Sequence, residues 1–297
     1  MRVCHREWPF SDRSSAVKQV ERIYFNNAAS GWPRAPGVAD AVYGAIEAPP
    51  AHPGRTVGKF TGVISECRER LADLMDVPSP GRIILAMHAT HALNIAIFGL
   101  GLKPGMKVVT TATEHNSTLR PLHHLAESHG IEISIIGLCD NGALDMAEFE
   151  RLICAGPDLV ALNHASNVTG RVNDAKTILS RAKAAGAVTL LDASQTLGHI
   201  PVKPCELGAD LVAFTGHKGL RGPQGTGGLY VDPGIELGQV FVGGTGVRSD
   251  LLLHPPEMPV RLESGTPNVP AFAGLAAALR WLGDNGAQFA RAEDEVG

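Results

Sequence analysis

The sequence predicts an α/β fold of three layers, with a mostly parallel sheet held between helices. Short β-rich runs alternate with helical stretches of roughly 10 to 15 residues through most of the chain, the pattern of a parallel sheet covered on both faces. At 297 residues, 44% hydrophobic and 19% charged, the chain has apolar material for a sizeable core and is no disordered polymer. Polar residues cluster where the β-rich runs end, which is the rim where open parallel sheets bind ligands.

Residues before Gly54 are Pro-rich (Pro33, Pro36, Pro49, Pro50, Pro53) and read as a connecting arm rather than sheet. RIILAM (82–87) is the first strand, and ALNIAIFGL (92–100) follows as an apolar helix. Residues 83–102 lack any Asp, Glu, Lys or Arg and could span a bilayer on length alone. His88, Thr90, His91 and Asn94 inside that stretch favour a strand plus a buried helix over lipid exposure. KVVTTAT (107–113) is a strand, and a helix begins at Ser117 with Leu119, Leu122 and Leu125 at helical spacing. IEISIIG (131–137) precedes the helix LDMAEFERLIC. LVALNHA (159–165) precedes AKTILSRAKAAG, which Gly186 stops as a C-terminal cap does. VTLLDAS (188–194), DLVAFTG (210–216) and GLYV (228–231) complete the strands, and an Ala/Leu-rich helix covers 272–282.

The net charge of −4 and the absence of a basic block argue against a nucleic-acid partner or an anionic membrane surface. Five cysteines (Cys4, Cys67, Cys139, Cys154, Cys205) are scattered without a CxxC pair, which fits a reducing cytoplasm better than a disulfide framework or a zinc site. Cys139 and Cys154 lie in or beside apolar runs and read as core thiols, while Cys4 and Cys205 read as more exposed. The N-terminal MRVCHREWPFSDRSS has no apolar signal-peptide core.

Five strand ends deliver an imidazole, an amide, a carboxylate, hydroxyls and a lysine to one rim: His88 to His91, Glu114 to Asn116, Asn163 to Asn167, Asp192 to Gln195, and Thr215 to Lys218. Pyridoxal 5′-phosphate requires a lysine for its Schiff base, a carboxylate for its pyridine nitrogen and donors for its phosphate. Lys218 lies in TGHKGLRGPQGTGG among small residues that let a ligand approach the backbone. Asp192 ends an apolar run, where a buried carboxylate needs a cationic partner. His88 and His91 have the i, i+3 spacing of metal ligands, but no third ligand follows at suitable spacing and no metal site is predicted. His164 reads as a hydrogen-bonded strand-end histidine rather than a base. GPQGTGG lacks the Lys-Ser/Thr ending of a P-loop.

IYFNNAAS (23–30), TATEHNS (111–117), NHASNVTG (163–170), LLDASQT (190–196), AFTGHKGLRGPQGTGGLYV (213–231) and RLESGTPNVPAFAGL (261–275) occur in the order they take in one family. The chain resembles the class V aminotransferase superfamily of pyridoxal-phosphate enzymes, most of all its cysteine desulfurase and selenocysteine lyase branch. The likeness implies a seven-stranded sheet, a large cofactor-binding domain over 22–268, and a small domain of which 1–21 and 269–297 are part. It implies that Lys218 carries the cofactor and shuttles protons, and that His115 stacks on the ring and aids proton transfer. Asp192 would bind the pyridine nitrogen, Gln195 the phenolic oxygen, and Asn167 would sit beside that oxygen near the substrate carboxylate. Thr90, Thr215 and His217 would hold the phosphate, and Thr266 would reach the phosphate of a neighbouring subunit, making a homodimer. Where the family has Thr-Thr-Glu this chain has Ala89-Thr90-His91, so only Thr90 carries over. Arg55 reads either as a substrate contact across the dimer or as a plain loop arginine.

In the family a further C-terminal stretch carries an arginine for the substrate carboxylate and a loop cysteine that attacks sulfur. Gly297 precedes both, and none of the five cysteines sits at the matching motif. The resemblance therefore implies removal of sulfur or selenium from L-cysteine or a related amino acid, with sulfur passed to an acceptor protein. Turnover of L-cysteine by these 297 residues is expected to be poor. An aminotransferase using the same cofactor residues, and an inactive cofactor-binding partner protein, are the alternatives.

Overall fold

The computed structural model describes residues 23–49 and 62–294, with side chains described as far as residue 285. Arg55 and Cys4 lie outside the described residues. The strands β1 (Ile83–Ala86), β2 (Lys107–Thr111), β3 (Glu132–Ile136), β4 (Leu159–Asn163), β5 (Val188–Asp192), β6 (Leu211–Thr215) and β7 (Gly227–Val231) form one seven-stranded sheet. Their order is β1-β7-β6-β5-β4-β2-β3, and only the two pairings made by β7 are antiparallel. A parallel return needs a crossover of a dozen or more residues, usually helical. Residues 216–226 are too short for one, so β7 folds straight back on β6, and Lys218 rides in that tight connection.

Alternation along each strand splits the apolar side chains between two faces. One face takes Leu85, Val109, Val160, Leu191, Val212 and Tyr230, and is covered by α2 (Val63–Met75), α5 (Met146–Ile153), α6 (Ala175–Ala184) and the first part of α8 (Val269–Asp294). The other takes Ile84, Val108, Ala161, Leu190, Leu211 and Leu229, and is covered by α3 (Ala89–Gly99) and α4 (Asn116–His129). Each fully buried Leu or Ile stabilises the fold by about 1.5–3 kcal/mol, and cutting the buried Phe214 back to Ala costs about 3–5 kcal/mol. The apolar stretch at 83–102 is β1 followed by α3, as its polar interior required. Among the described residues no helix is long and apolar enough to cross a membrane.

Two expectations change. The Pro-rich arm contains α1 (Val38–Glu47), which fits between Pro36 and Pro49 and packs on α8, where Val42 Cγ2 lies 2.7 Å from a Cβ built on Gly274. Prolines flanking a helix do not interrupt it. Cys139 and Cys154 are exposed, not core thiols. Cys139 opens a surface turn, accepting from Gly142 N at 2.8 Å, and Cys154 caps the C-terminus of α5. Among the described cysteines the buried thiol is Cys67, its pKa pushed up to about 12 by burial first and by Glu66 second.

One buried ion pair ties the 260s to the sheet edge. Arg68, 3% exposed, donates to Glu263 from Nη1 (2.7 Å) and Nη2 (2.6 Å), and Glu263 also accepts from Leu85 N at 2.6 Å. Removing one partner of such a buried pair costs about 3–5 kcal/mol, because the other charge is left behind.

Candidate active site

A cavity of about 400 Å³ opens at the carboxyl ends of β4, β5 and β6, with the N-termini of α3 and α4 on its rim. Asp192 is its buried carboxylate. Its Oδ1 accepts from Ser194 N (2.9 Å) and from Ser194 Oγ (2.5 Å), while Oδ2 makes no hydrogen bond among the described residues. A carboxylate half-satisfied from below and open above suits a cationic or N–H ligand. Burial pushes the Lys218 ammonium down, and the negative charge of Asp192 opposes that shift. A depressed lysine exposes the neutral amine that attacks carbonyls.

The Lys218 turn is held by a segment far away in sequence. Gly31 N and Arg34 Nη1 both donate to His217 O at 2.7 Å, and Arg34 Nη1 also reaches Gly222 O at 2.8 Å. Gly31 must be glycine, since a Cβ there would fall 2.5 Å from Lys218 O. Ser30 Oγ accepts from Arg34 Nη2 (2.9 Å) and lies 3.1 Å from His217 Nδ1. His217 is pushed down to about 4, by burial first and then by the charges of Lys218, Arg34 and His88, so it is a neutral imidazole near pH 7.

On the opposite wall His115 caps α4. Its Nδ1 accepts from Ser117 N (3.1 Å) and lies 2.9 Å from Ser117 Oγ, which in turn lies 2.8 Å from Thr90 Oγ1. An Nδ1 that accepts from a backbone N–H holds the ring proton at Nε2. Thr215 Oγ1 donates to Thr226 O at 3.3 Å, and Gln195 Nε2 to Ala28 O at 3.0 Å, joining the N-terminal segment to the rim. Asn167 is exposed at the mouth.

Thr90, His115, Asn167, Asp192, Gln195, Thr215, His217 and Lys218 therefore surround one cavity. Thr266 is exposed and does not line it. His164 departs from expectation. Its backbone N donates to Asp192 O at 2.9 Å, but its ring Nδ1 is buried without a partner among the described residues, and burial pushes its pKa down. The ring alternates to the opposite face of β4 from Asn163, away from the polar rim. Asn163 and Ser194, already picked out at strand ends but given no role, line the cavity as well, and so do Ser117, Asn26, Ala28 and Ala29, which were not singled out. Ser117 lies two residues after His115, a spacing that lets a serine reach the cap. The contact between residues 30–35 and the Lys218 turn left no local pattern to read. Among the described residues no cluster of three or more His, Cys, Asp or Glu could hold a metal ion.

Beneath the rim, Glu114 accepts from Asn163 N (2.6 Å) and Thr111 Oγ1 (3.0 Å) and is pushed up to about 8. Burial is the main cause, opposed by the Asn163 N–H and reinforced by Asp192. Between its ordinary 4.5 and about 8, the folded protein keeps a proton that the unfolded chain has released. The stabilisation is complete at low pH and is lost as pH rises through about 8. Glu114→Gln is expected to flatten this slope, read from urea midpoints at about pH 5 and about pH 8. An unchanged slope would reject a protonated Glu114.

The class-V aminotransferase profile matches residues 23–295. A cysteine desulfurase of Pectobacterium atrosepticum is 33% identical over 232 residues, covering 75% of this chain and 56% of the relative. A probable cysteine desulfurase of Pyrococcus abyssi is 35% identical over 278 residues, covering 88% and 67%. The apo cysteine desulfurase of Thermococcus onnurineus superposes with a TM-score of 0.81 at 32% identity, over 90% of this chain and 68% of that one. The chain thus spans little more than half the length of the first of these relatives. With its fold, its motif order and a match across nearly all of its length, the chain belongs to the class-V aminotransferase family.

Proposed function

We propose that this protein is a pyridoxal-phosphate enzyme of the cysteine desulfurase type, acting on L-cysteine or a related sulfur or selenium amino acid. The observation that carries the reading is the convergence of a depressed lysine, a buried carboxylate with one open oxygen, and a proton-bearing imidazole in one cavity. The donor set fits the cofactor: an amine for its carbonyl, a carboxylate for its ring nitrogen, and hydroxyl and imidazole donors for its phosphate. When bound, the cofactor supplies an electron sink for negative charge at the substrate α-carbon. Lys218 holds the cofactor and then moves protons from its Nζ. Asp192 keeps the ring nitrogen protonated, with Ser194 fixing its Oδ1. His115, bearing its proton at Nε2, covers the ring and takes part in proton transfer. Gln195 and Asn167 orient the phenolic oxygen and the substrate carboxylate, and Thr90, Thr215 and His217 take the phosphate.

We place the protein in the cytoplasm as a homodimer, with Thr266 completing the neighbour's phosphate site and an acceptor protein receiving the sulfur. Arg55 is a candidate contact across that dimer. Exposed apolar residues such as Phe25 (92%), Leu252 (103%) and Leu253 (80%) support a large unpaired surface. Single-turnover incubation with L-cysteine and a thiol reductant tests the activity. Alanine and sulfide are expected in equal amounts but slowly, since no cysteine among the described residues lines the cavity and the added thiol must take the sulfur. Conversion of the cofactor to pyridoxamine phosphate would instead make the protein an aminotransferase, and no product of either kind would remove the activity assignment.

A further inference from the structure

We infer that His88, to which no role is yet given, is a phosphate-binding residue of the cavity and sets its preference for a phosphorylated over a plain pyridoxal ligand. This rests on the cofactor reading above. His91 stands where the family motif has Glu, His88 lies just before that motif, and the structure separates the two histidines. His91 turns away: its Nδ1 accepts from Met87 N at 3.3 Å, its ring meets Phe241 edge-on at 4.8 Å, and it does not line the cavity. His88 lines the cavity.

Its tautomer follows from its capping role. His88 Nδ1 accepts from His91 N at 3.1 Å, the first hydrogen bond of α3, so the ring proton sits on Nε2. That N–H makes no hydrogen bond among the described residues. The backbone behind the ring is held close to the sheet, since a Cβ on Gly227 would fall 2.9 Å from His88 Cα.

The hydroxyl donors at this end are already engaged. Among the described residues no arginine lines the cavity, and the Lys218 amine is reserved for the cofactor carbonyl. His217 is neutral near pH 7, Thr215 Oγ1 already donates to Thr226 O, and Thr90 Oγ1 pairs with Ser117. A phosphate dianion placed there accepts from several donors, and His88 Nε2–H stands beside His217 as a second imidazole N–H without a hydrogen-bond partner among the described residues. The closeness of His88 to His217, sufficient for its charge to lower the His217 pKa, puts the two imidazoles at the same end.

The variants separate capping from binding. His88→Asn keeps a side-chain oxygen able to cap α3 but lacks the Nε2–H, whereas His88→Ala lacks both. Affinities of apo wild type and each variant are measured by titration with pyridoxal phosphate and with pyridoxal, alongside thermal melts. His88→Asn is expected to bind pyridoxal phosphate roughly 10- to 100-fold more weakly, the loss of one hydrogen bond to a charged acceptor. It should bind pyridoxal as wild type does and melt near the wild-type temperature. If His88→Ala does not fold, His88→Asn still carries the test. Unchanged affinity for pyridoxal phosphate in His88→Asn, or equal loss toward both ligands, overturns the assignment. Wild type that binds neither ligand overturns the cofactor reading itself, and with it this one.

Discussion

Replacing Lys218 with Ala is expected to abolish the yellow colour of the protein and to cut turnover by about 10²- to 10⁴-fold at the least, the usual contribution of a positioned proton-transfer group. The loss is larger than for any other single substitution because Lys218 has two tasks on one nitrogen. In the proposed reaction it would anchor the cofactor carbonyl and move protons at the substrate carbon. Both need the neutral amine, which burial favours and Asp192 restrains. The fold should survive, since the backbone of the turn is held from outside by Gly31 and Arg34 rather than by the lysine side chain. Absorbance spectra and turnover of the purified variant check this. Wild-type colour in Lys218→Ala would exclude this lysine.

Asp192→Ala is expected to weaken cofactor affinity by roughly 10²- to 10³-fold, as truncating one member of a buried charge pair does. The rate should fall as well, because a ring nitrogen without its proton is a poor electron sink. The Ser194 N–H and O–H that serve Oδ1 would lose their acceptor, so part of the effect belongs to an unsatisfied buried donor pair. Titration with pyridoxal phosphate and a single-turnover rate separate the two losses. Wild-type values for both would refute the pairing.

The strands were legible because each is a short apolar run, most of them ending on polar residues, and the structure moves their ends by no more than two residues. The antiparallel β7 was harder to read, since its direction depends on the length of the 216–226 connection rather than on any residue in the strand. The helix α1 was hidden by the prolines that bracket it, although they stand outside its hydrogen-bonded core. Cys139 and Cys154 misled because apolar neighbours in sequence do not fix the direction of a side chain at a turn or a helix end. In the cavity, residues that end strands could be found locally. Ser30, Gly31 and Arg34 could not, because they meet the Lys218 turn across more than 180 positions of sequence. Glu114 was visible as a strand-end acid, but its burial under the rim depends on α4 and β4 together.

The central claim is that this cavity binds pyridoxal phosphate through Lys218. Borohydride reduction of the protein after loading with the cofactor, followed by peptide mass mapping, tests it most directly. The account predicts the reduced cofactor on the peptide containing Lys218, in near one-to-one amount with the chain. Label on another lysine, or no label after loading, would contradict it.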